Sequence, residues 1–218
     1  MQKNSSRKFQ KPLMIVVSAP SGAGKSSLCN LLLSEFPSFV YSVSCTTRAP
    51  RGAEVDGVAY SFLKEGEFLG CVEAGDFLEH AVVHGHYYGT LKQQVKAAME
   101  AGHSVILDID VAGAAQVRKI VSALPDDDPM KVGFLDIFIT VVSLDVLRAR
   151  LIKRGEDAPE TIERRLRNAG EEMARAGEFS YTLVSNDLAE TYAAFRAIIL
   201  EASEAQKADH TRLEVRGK

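Results

Sequence analysis

The sequence predicts an α/β fold, a parallel sheet with helices on both faces and one small, mostly β insertion. Three observations lead there. Short apolar, β-branched runs alternate with longer stretches of helical periodicity. A glycine-rich turn joins the first such run to the first helical stretch. The region 39–90 then breaks the rhythm with short strand-like pieces separated by glycines. Strand and helix in alternation bring strands side by side in parallel, buried on both faces.

The run 13–18 reads as a buried strand, and Leu28, Leu31 and Leu32 after Lys25 fall at helical spacing. Within 39–90 the strand-like pieces are 40–44, 59–63 and 77–83, with His84 and His86 flanking Gly85 in a hairpin turn. The strand 105–109 leads into a helix over 112–121, and the strand 137–142 leads through Ser143, an N-cap residue, into a helix over 144–153 that carries Leu147 and Leu151 on one face. Residues 154–168 are dense in charge and predict an exposed, mobile segment, and 181–184 is strand-like. Asp126, Asp127 and Asp128, ending at Pro129, predict a solvated loop. The division that follows is a flexible basic tail over 1–11, a core domain from 12–38, 91–153 and 169–207, an inserted lobe over 39–90, a lid over 154–168 and a flexible tail over 208–218.

Composition narrows the function. Of 218 residues, 26 are Lys or Arg and 29 are Asp or Glu, a formal net charge of −3. So even a balance provides no global field for DNA, RNA or an anionic membrane, and phosphate binding must come from local clusters. No apolar run approaches the ~20 residues that span a bilayer. Cys29, Cys45 and Cys71 are odd in number and spaced for neither a disulfide framework nor a metal knuckle, which favours a reducing, cytoplasmic setting.

The turn after the first strand reads Ala19, Pro20, Ser21, Gly22, Ala23, Gly24, Lys25, Ser26, Ser27. Its glycines let successive N–H groups converge on an anion at a helix N-terminus. Lys25 can reach β- and γ-phosphates, and the Ser26 hydroxyl can ligate Mg2+. Ala19 stands where the strict phosphate-loop pattern has its first glycine, but the strand-to-helix setting is the one the motif requires. A second half of a site lies in 104–110, where strand alternation puts Asp108 and Asp110 on one face at the carboxyl end of a strand. Either can hold Mg2+, water or a substrate group, and Asp110 can instead cap the next helix. Asp110, Val111, Ala112 and Gly113 match the D-x-x-G of GTP-binding switches, but the chain has no N-K-x-D segment to read guanine in that way.

Several motifs in one order then resemble guanylate kinase, over roughly residues 11–200. They are the phosphate loop, the segment Ser42 to Arg51 with Glu54, Gly57 and Tyr60, the turn His86 to Thr90, the strand Ile106 to Asp110, and Arg150, Arg154 and Arg165. The resemblance implies a P-loop NTPase-type sheet and transfer of the γ-phosphoryl of ATP to GMP, with dGMP as an expected second acceptor and with Mg2+. For GMP it implies Ser44, Arg48, Arg51, Tyr60, Glu79, Tyr88, Thr90 and Asp108, of which Glu79 would accept from the guanine N1–H and exocyclic amine. For ATP it implies the loop from Ala19 to Ser27 with Arg150 and Asn186. Lys25, Arg51, Arg154 and Arg165 would carry the transfer, with Ser26, Asp108 and Asp110 near the metal. The partners are then small nucleotides, not nucleic acid or membrane, with no oligomeric state specified. Two other readings share parts of the pattern: a non-catalytic peptide-binding module of the same fold, which tends to lose the phosphate loop, and a P-loop kinase for another small acceptor. Val141 and Val142 stand where the family commonly has two prolines, the stretch 126–134 is longer than expected, and Cys45 reads as a filler.

Overall fold

The structure, a computed structural model, describes residues 11–155 and 157–216, with side chains described through Ala205. The basic arm with Lys3, Arg7 and Lys8 lies outside the described residues.

The chain runs β1 (Met14–Ser18), α1 (Lys25–Glu35), β2 (Phe39–Tyr41), β3 (Cys45–Thr46), β4 (Ser61–Phe62), α2 (Glu65–Glu73), β5 (Phe77–Val83), β6 (His86–Leu91), α3 (Lys92–Glu100), β7 (Ser104–Asp108), α4 (Val111–Ala123), α5 (Pro129–Val132), β8 (Phe134–Thr140), α6 (Leu144–Arg154), α7 (Pro159–Ala174), β9 (Tyr181–Val184) and α8 (Leu188–Arg216). Five strands form a parallel sheet in the order β2-β7-β1-β8-β9, and four form a second sheet in the order β4-β3-β6-β5. In the second sheet β6 runs antiparallel to both β3 and β5.

Alternation along the central strands sorts side chains between two cores. Leu13, Ile15 and Val17 pack with Ile106, Ile137 and Ile139 against α1, α6, α7 and α8, while Met14 and Val16 pack with Val105, Leu107 and Phe138 against α3 and α4. All five residues of β1 are buried, as a central parallel strand requires. Phe68, Phe77 and Cys45 form the small core of the second sheet.

Four segments depart from the expectation. Phe39–Tyr41, grouped with the inserted lobe from sequence, pairs with β7 in the parallel sheet, because Phe39 joins the α1 core. The chain then leaves that sheet, so of the expected strand 40–44 only Val40 and Tyr41 are in a strand, β2, and 42–44 form the link to β3. The charge-dense stretch after Arg154 continues as α7, whose Ile162, Leu166 and Ala169 are buried in the main core at helical spacing. Residues 208–216, expected as a tail, continue α8. Around Asp128 the loop tightens into α5, whose first turn is capped by the Asp128 carboxylate accepting from the Met130 N–H (2.9 Å).

One charged group lies in the middle of this apolar frame. Asp136 on β8 is 0% exposed. It accepts from Arg118 Nη1 of α4 (3.0 Å) and from the backbone N–H (2.9 Å) and hydroxyl (2.5 Å) of Ser180, which ties α4, β8 and the approach to β9 together. Arg118 also donates to Glu178 (2.7 Å) and lies over the Phe179 ring (4.6 Å). Arg118→Met strips the buried carboxylate of its cation and is expected to cost about 3–5 kcal/mol in urea unfolding. Asp136→Asn keeps an acceptor for Ser180 and should cost clearly less in the same measurement.

Candidate active site

The phosphate loop leaves β1 at Ser18, and its curl depends on two left-handed residues, Gly22 (φ 90°) and Gly24 (φ 99°). A Cβ at Gly22 would meet Leu147 Cδ1 and Leu151 Cδ2 at 3.2 Å each, so α6 packs directly on the loop backbone. Gly24 is the N-cap of α1 and makes no side-chain cap, which leaves the first N–H groups of the helix facing the loop. The N–H of Ala23 donates to the Pro20 carbonyl (3.0 Å) and closes the turn.

This loop walls a cleft of about 740 Å³. Ala19 to Gly22 and Gly24 to Ser27 line one side, and Asp108, Asp110, Arg154 and Glu172 line the other. The Lys25 ammonium is paired with Asp108 at the carboxyl end of β7. Asp110 is the N-cap of α4, its Oδ1 accepting from the Gly113 N–H (2.7 Å), while it also lines the cleft. Glu172 was not singled out from sequence. Burial pushes its carboxyl above the ordinary range, Lys25 pulls it down and Asp110 pushes it up. A signal was available, because Glu172 lies seven residues after Arg165 and so on the same face of α7.

The helices α6 and α7 bring three arginines to this loop. Arg150 donates to the Ala23 carbonyl (3.3 Å), to the hydroxyl (3.1 Å) and carbonyl (2.9 Å) of Ser185, and to the Asn186 carbonyl (3.0 Å). It therefore clasps the phosphate loop to the turn between β9 and α8, where the Asn186 side chain is exposed. Arg165 donates to the Ser21 hydroxyl (3.0 Å) and pairs with Asp157 (3.2 Å), so α7 already touches the loop across 144 residues of sequence.

A second cleft, about 690 Å³, lies between the end of β2, the lobe sheet and β7. Ser44, Tyr60, Thr90 and Asp108 line it, and it shares Asp108 and Ile109 with the phosphate-loop cleft. Beside it Arg48, 7% exposed, donates from Nε to the Tyr88 hydroxyl (3.3 Å) and lies over the Tyr60 ring (5.1 Å), whose edge meets Tyr88. The outer fork of Arg48 holds Glu54 through two bonds (2.7 and 3.0 Å), and the Arg51 N–H donates to the same carboxylate (2.8 Å). These bonds hold the Glu54 carboxyl down at about 2 and raise the Arg48 guanidinium. The Arg51 side chain is exposed and does not line either cleft. Glu79, 7% exposed, accepts from the Thr90 hydroxyl (2.6 Å), and burial pushes its carboxyl above the ordinary range against the pull of that bond, with Asp110 adding to the rise. Cys45 is a buried thiol, raised to about 11 by desolvation, which suits a packing residue.

The geometry can therefore hold two anions end to end. One cleft offers backbone N–H groups and a lysine, the other the hydroxyls of Ser44, Tyr60 and Thr90, with Arg48 over the Tyr60 ring and Glu79 bound to Thr90 just behind that wall, and both open on Asp108.

A family model described as guanylate kinase matches residues 11–202. The chain is 46% identical over 185 residues to a guanylate kinase of Alkalilimnicola ehrlichii, covering 85% of this chain and 86% of that one. It is 43% identical over 190 residues to a guanylate kinase of Symbiobacterium thermophilum, covering 87% and 85%. The crystal structure of a guanylate kinase from Anaplasma phagocytophilum superposes with a TM-score of 0.63 at 28% identity, covering 88% of this chain and 87% of that chain.

Gly22→Ala should be penalised twice, by its backbone and by the leucines of α6. A loss of about 1–3 kcal/mol is expected from the left-handed conformation alone, read as a fall in thermal midpoint.

Proposed function

The chain belongs to the guanylate kinase family of nucleoside monophosphate kinases, and from that premise we propose how its residues move the γ-phosphoryl of ATP to GMP, giving ADP and GDP. The observation that carries the reading is the meeting of the two clefts at Asp108 and Ile109, with the phosphate loop on one side and, on the other, Tyr60 and Thr90, which Arg48 and Glu79 back from behind.

The β- and γ-phosphates of ATP rest in the loop, where N–H groups from Gly22 to Ser27 converge and Lys25 leaves Asp108 to pair with them. Ser26, Asp108 and Asp110 present hard oxygen donors to the same cleft, the chemistry Mg2+ takes while keeping water and phosphate in its shell. Bound there, the ion would offset charge on the β- and γ-oxygens.

The acceptor enters the second cleft. Arg48, Tyr60 and Tyr88 hold its phosphate, Arg51 swings in from its exposed position, and Glu54 keeps the Arg48 fork in one plane. Ionised Glu79 accepts from the two adjacent donors of guanine, with Ser44 and Thr90 on the neighbouring edge; adenine would leave that buried carboxylate unpaired. No general base is required, because the acceptor oxygen already belongs to an ionised phosphate. Catalysis is alignment and charge cancellation, completed as Arg154 and Arg165 close on the transferring group and exclude water. Arg150 and Asn186 flank the adenine end. dGMP is a second acceptor on this reading, and a cytoplasmic setting is supported by the three free thiols.

A coupled ADP-release assay with GMP, dGMP, AMP, UMP and CMP tests the reading. GMP should be the preferred acceptor, and AMP turnover equal to it would overturn the guanine assignment. Lys25→Ala should lower kcat by about 100-fold or more.

Glu79 supports a second, opposed pair of measurements. Because its folded-state value is raised, its contribution to stability is full below the ordinary carboxylate range and is lost as pH rises through the raised value. Glu79→Gln removes that burden while still accepting from Thr90, so the melting temperature at neutral pH should hold or rise. The same change deprives guanine of its anionic acceptor and should raise the KM for GMP by about 100-fold, from two charge-assisted bonds.

A further inference from the structure

The lobe sheet has β5 at its edge, so among the described residues the outward backbone groups of that strand have no strand partner. At His80 they are met by a side chain. The His80 N–H donates to Gln116 Oε1 (3.1 Å), and Gln116 Nε2 donates to the His80 carbonyl (3.0 Å), so one carboxamide on α4 pairs with β5 as a neighbouring strand would. His80 is the residue after Glu79, and the pairing of β5 with β6 shifts register between Phe77 and Glu79, just before the bond to Gln116.

A second point of contact lies one turn earlier on α4. Gly113 precedes Gln116 by three residues and shares its face. A Cβ there would lie 3.2 Å from Glu79 Oε2, so the missing side chain is what lets the carboxylate rest against the helix. The Gly113 N–H is bound to Asp110, which lines the phosphate-loop cleft. Glu79 is thus referenced to the core domain through α4, while Arg48, Tyr60 and Tyr88 are carried by the lobe alone.

We propose that Gln116 is a positioning residue for acceptor recognition: by holding the His80 backbone it fixes Glu79 at a set distance from the transfer centre, so that the base is read from the core while the phosphate is gripped from the lobe. This rests on the guanylate kinase reading above.

The test uses GMP and inosine monophosphate, which keeps N1–H but lacks the exocyclic amine that a correctly aimed Glu79 also meets. Gln116→Met keeps the length of the side chain and loses both bonds. It should raise the KM for GMP about tenfold and reduce the preference for GMP over inosine monophosphate about fivefold, with kcat at saturation and the KM for ATP within twofold. Gln116→Glu keeps the acceptor for the His80 N–H and loses the donor, and should fall between the two; it also serves if the methionine variant does not fold. A variant that melts earlier while its KM for GMP and its nucleotide preference match the wild type would overturn the proposal, because a merely structural bond predicts that result. Absence of GMP turnover by the wild-type chain would instead overturn the functional reading, so the two failures are distinguishable.

Discussion

Lys25 and Asp108 meet across the carboxyl ends of two neighbouring parallel strands, and the rest of the molecule is arranged about that point. Parallel strands end on one edge, so β1 delivers the phosphate loop and β7 delivers a carboxylate to the same place without any long loop. The pair also balances a concentrated charge. A lysine aimed at an anion site and a carboxylate set between two anion sites would each be costly alone, and each holds the other in place. Both clefts take Asp108 and its neighbour Ile109 into their walls.

That arrangement explains how a chain of net charge −3 can serve two polyanionic ligands. Six of its 14 arginines fall between Arg148 and Arg167, and Arg48 and Arg51 form a second cluster. Each cluster is tied by carboxylates of its own: Glu163 on Arg148, Asp157 on Arg165, Glu54 on Arg48. Such partners hold the cations in aimed conformations and keep them from repelling one another, and phosphate can then compete for or join an existing fork.

The features legible in the sequence were those written in consecutive residues. The glycine loop between an apolar run and a helix, the Asp110 cap, which accepts from the Gly113 N–H (2.7 Å), and the cap at Ser143, which accepts from the Val146 N–H (3.4 Å), are each set by a few neighbours, whereas β7 ends at Asp108 and its alternation does not reach Asp110. What escaped was of two kinds. In α7, the charges that crowd 154–168 obscured Ile162, Leu166 and Ala169, whose helical spacing anchors the segment in the core. Gln116 and Asp136 are single polar residues whose partners, His80 and Ser180, lie 36 and 44 residues away, and no local pattern distinguishes such a residue from a solvated one. The sheet membership of Phe39–Tyr41 likewise depends on pairing with β7, more than sixty residues downstream.

Gly113 sets helix propensity against the room that a neighbouring side chain needs. A glycine inside a helix costs about 1 kcal/mol relative to alanine, so any effort to harden this protein by improving helix propensity would choose the position early. The space above its backbone is where the Glu79 carboxylate rests. A methyl group there would lie 3.2 Å from that carboxylate and 3.4 Å from Asp110 Oδ1, so what the helix gains in propensity is set against crowding of Glu79 and of the cap. The weakest residue of α4, scored by propensity, is the one whose bare backbone leaves room for the Glu79 carboxylate.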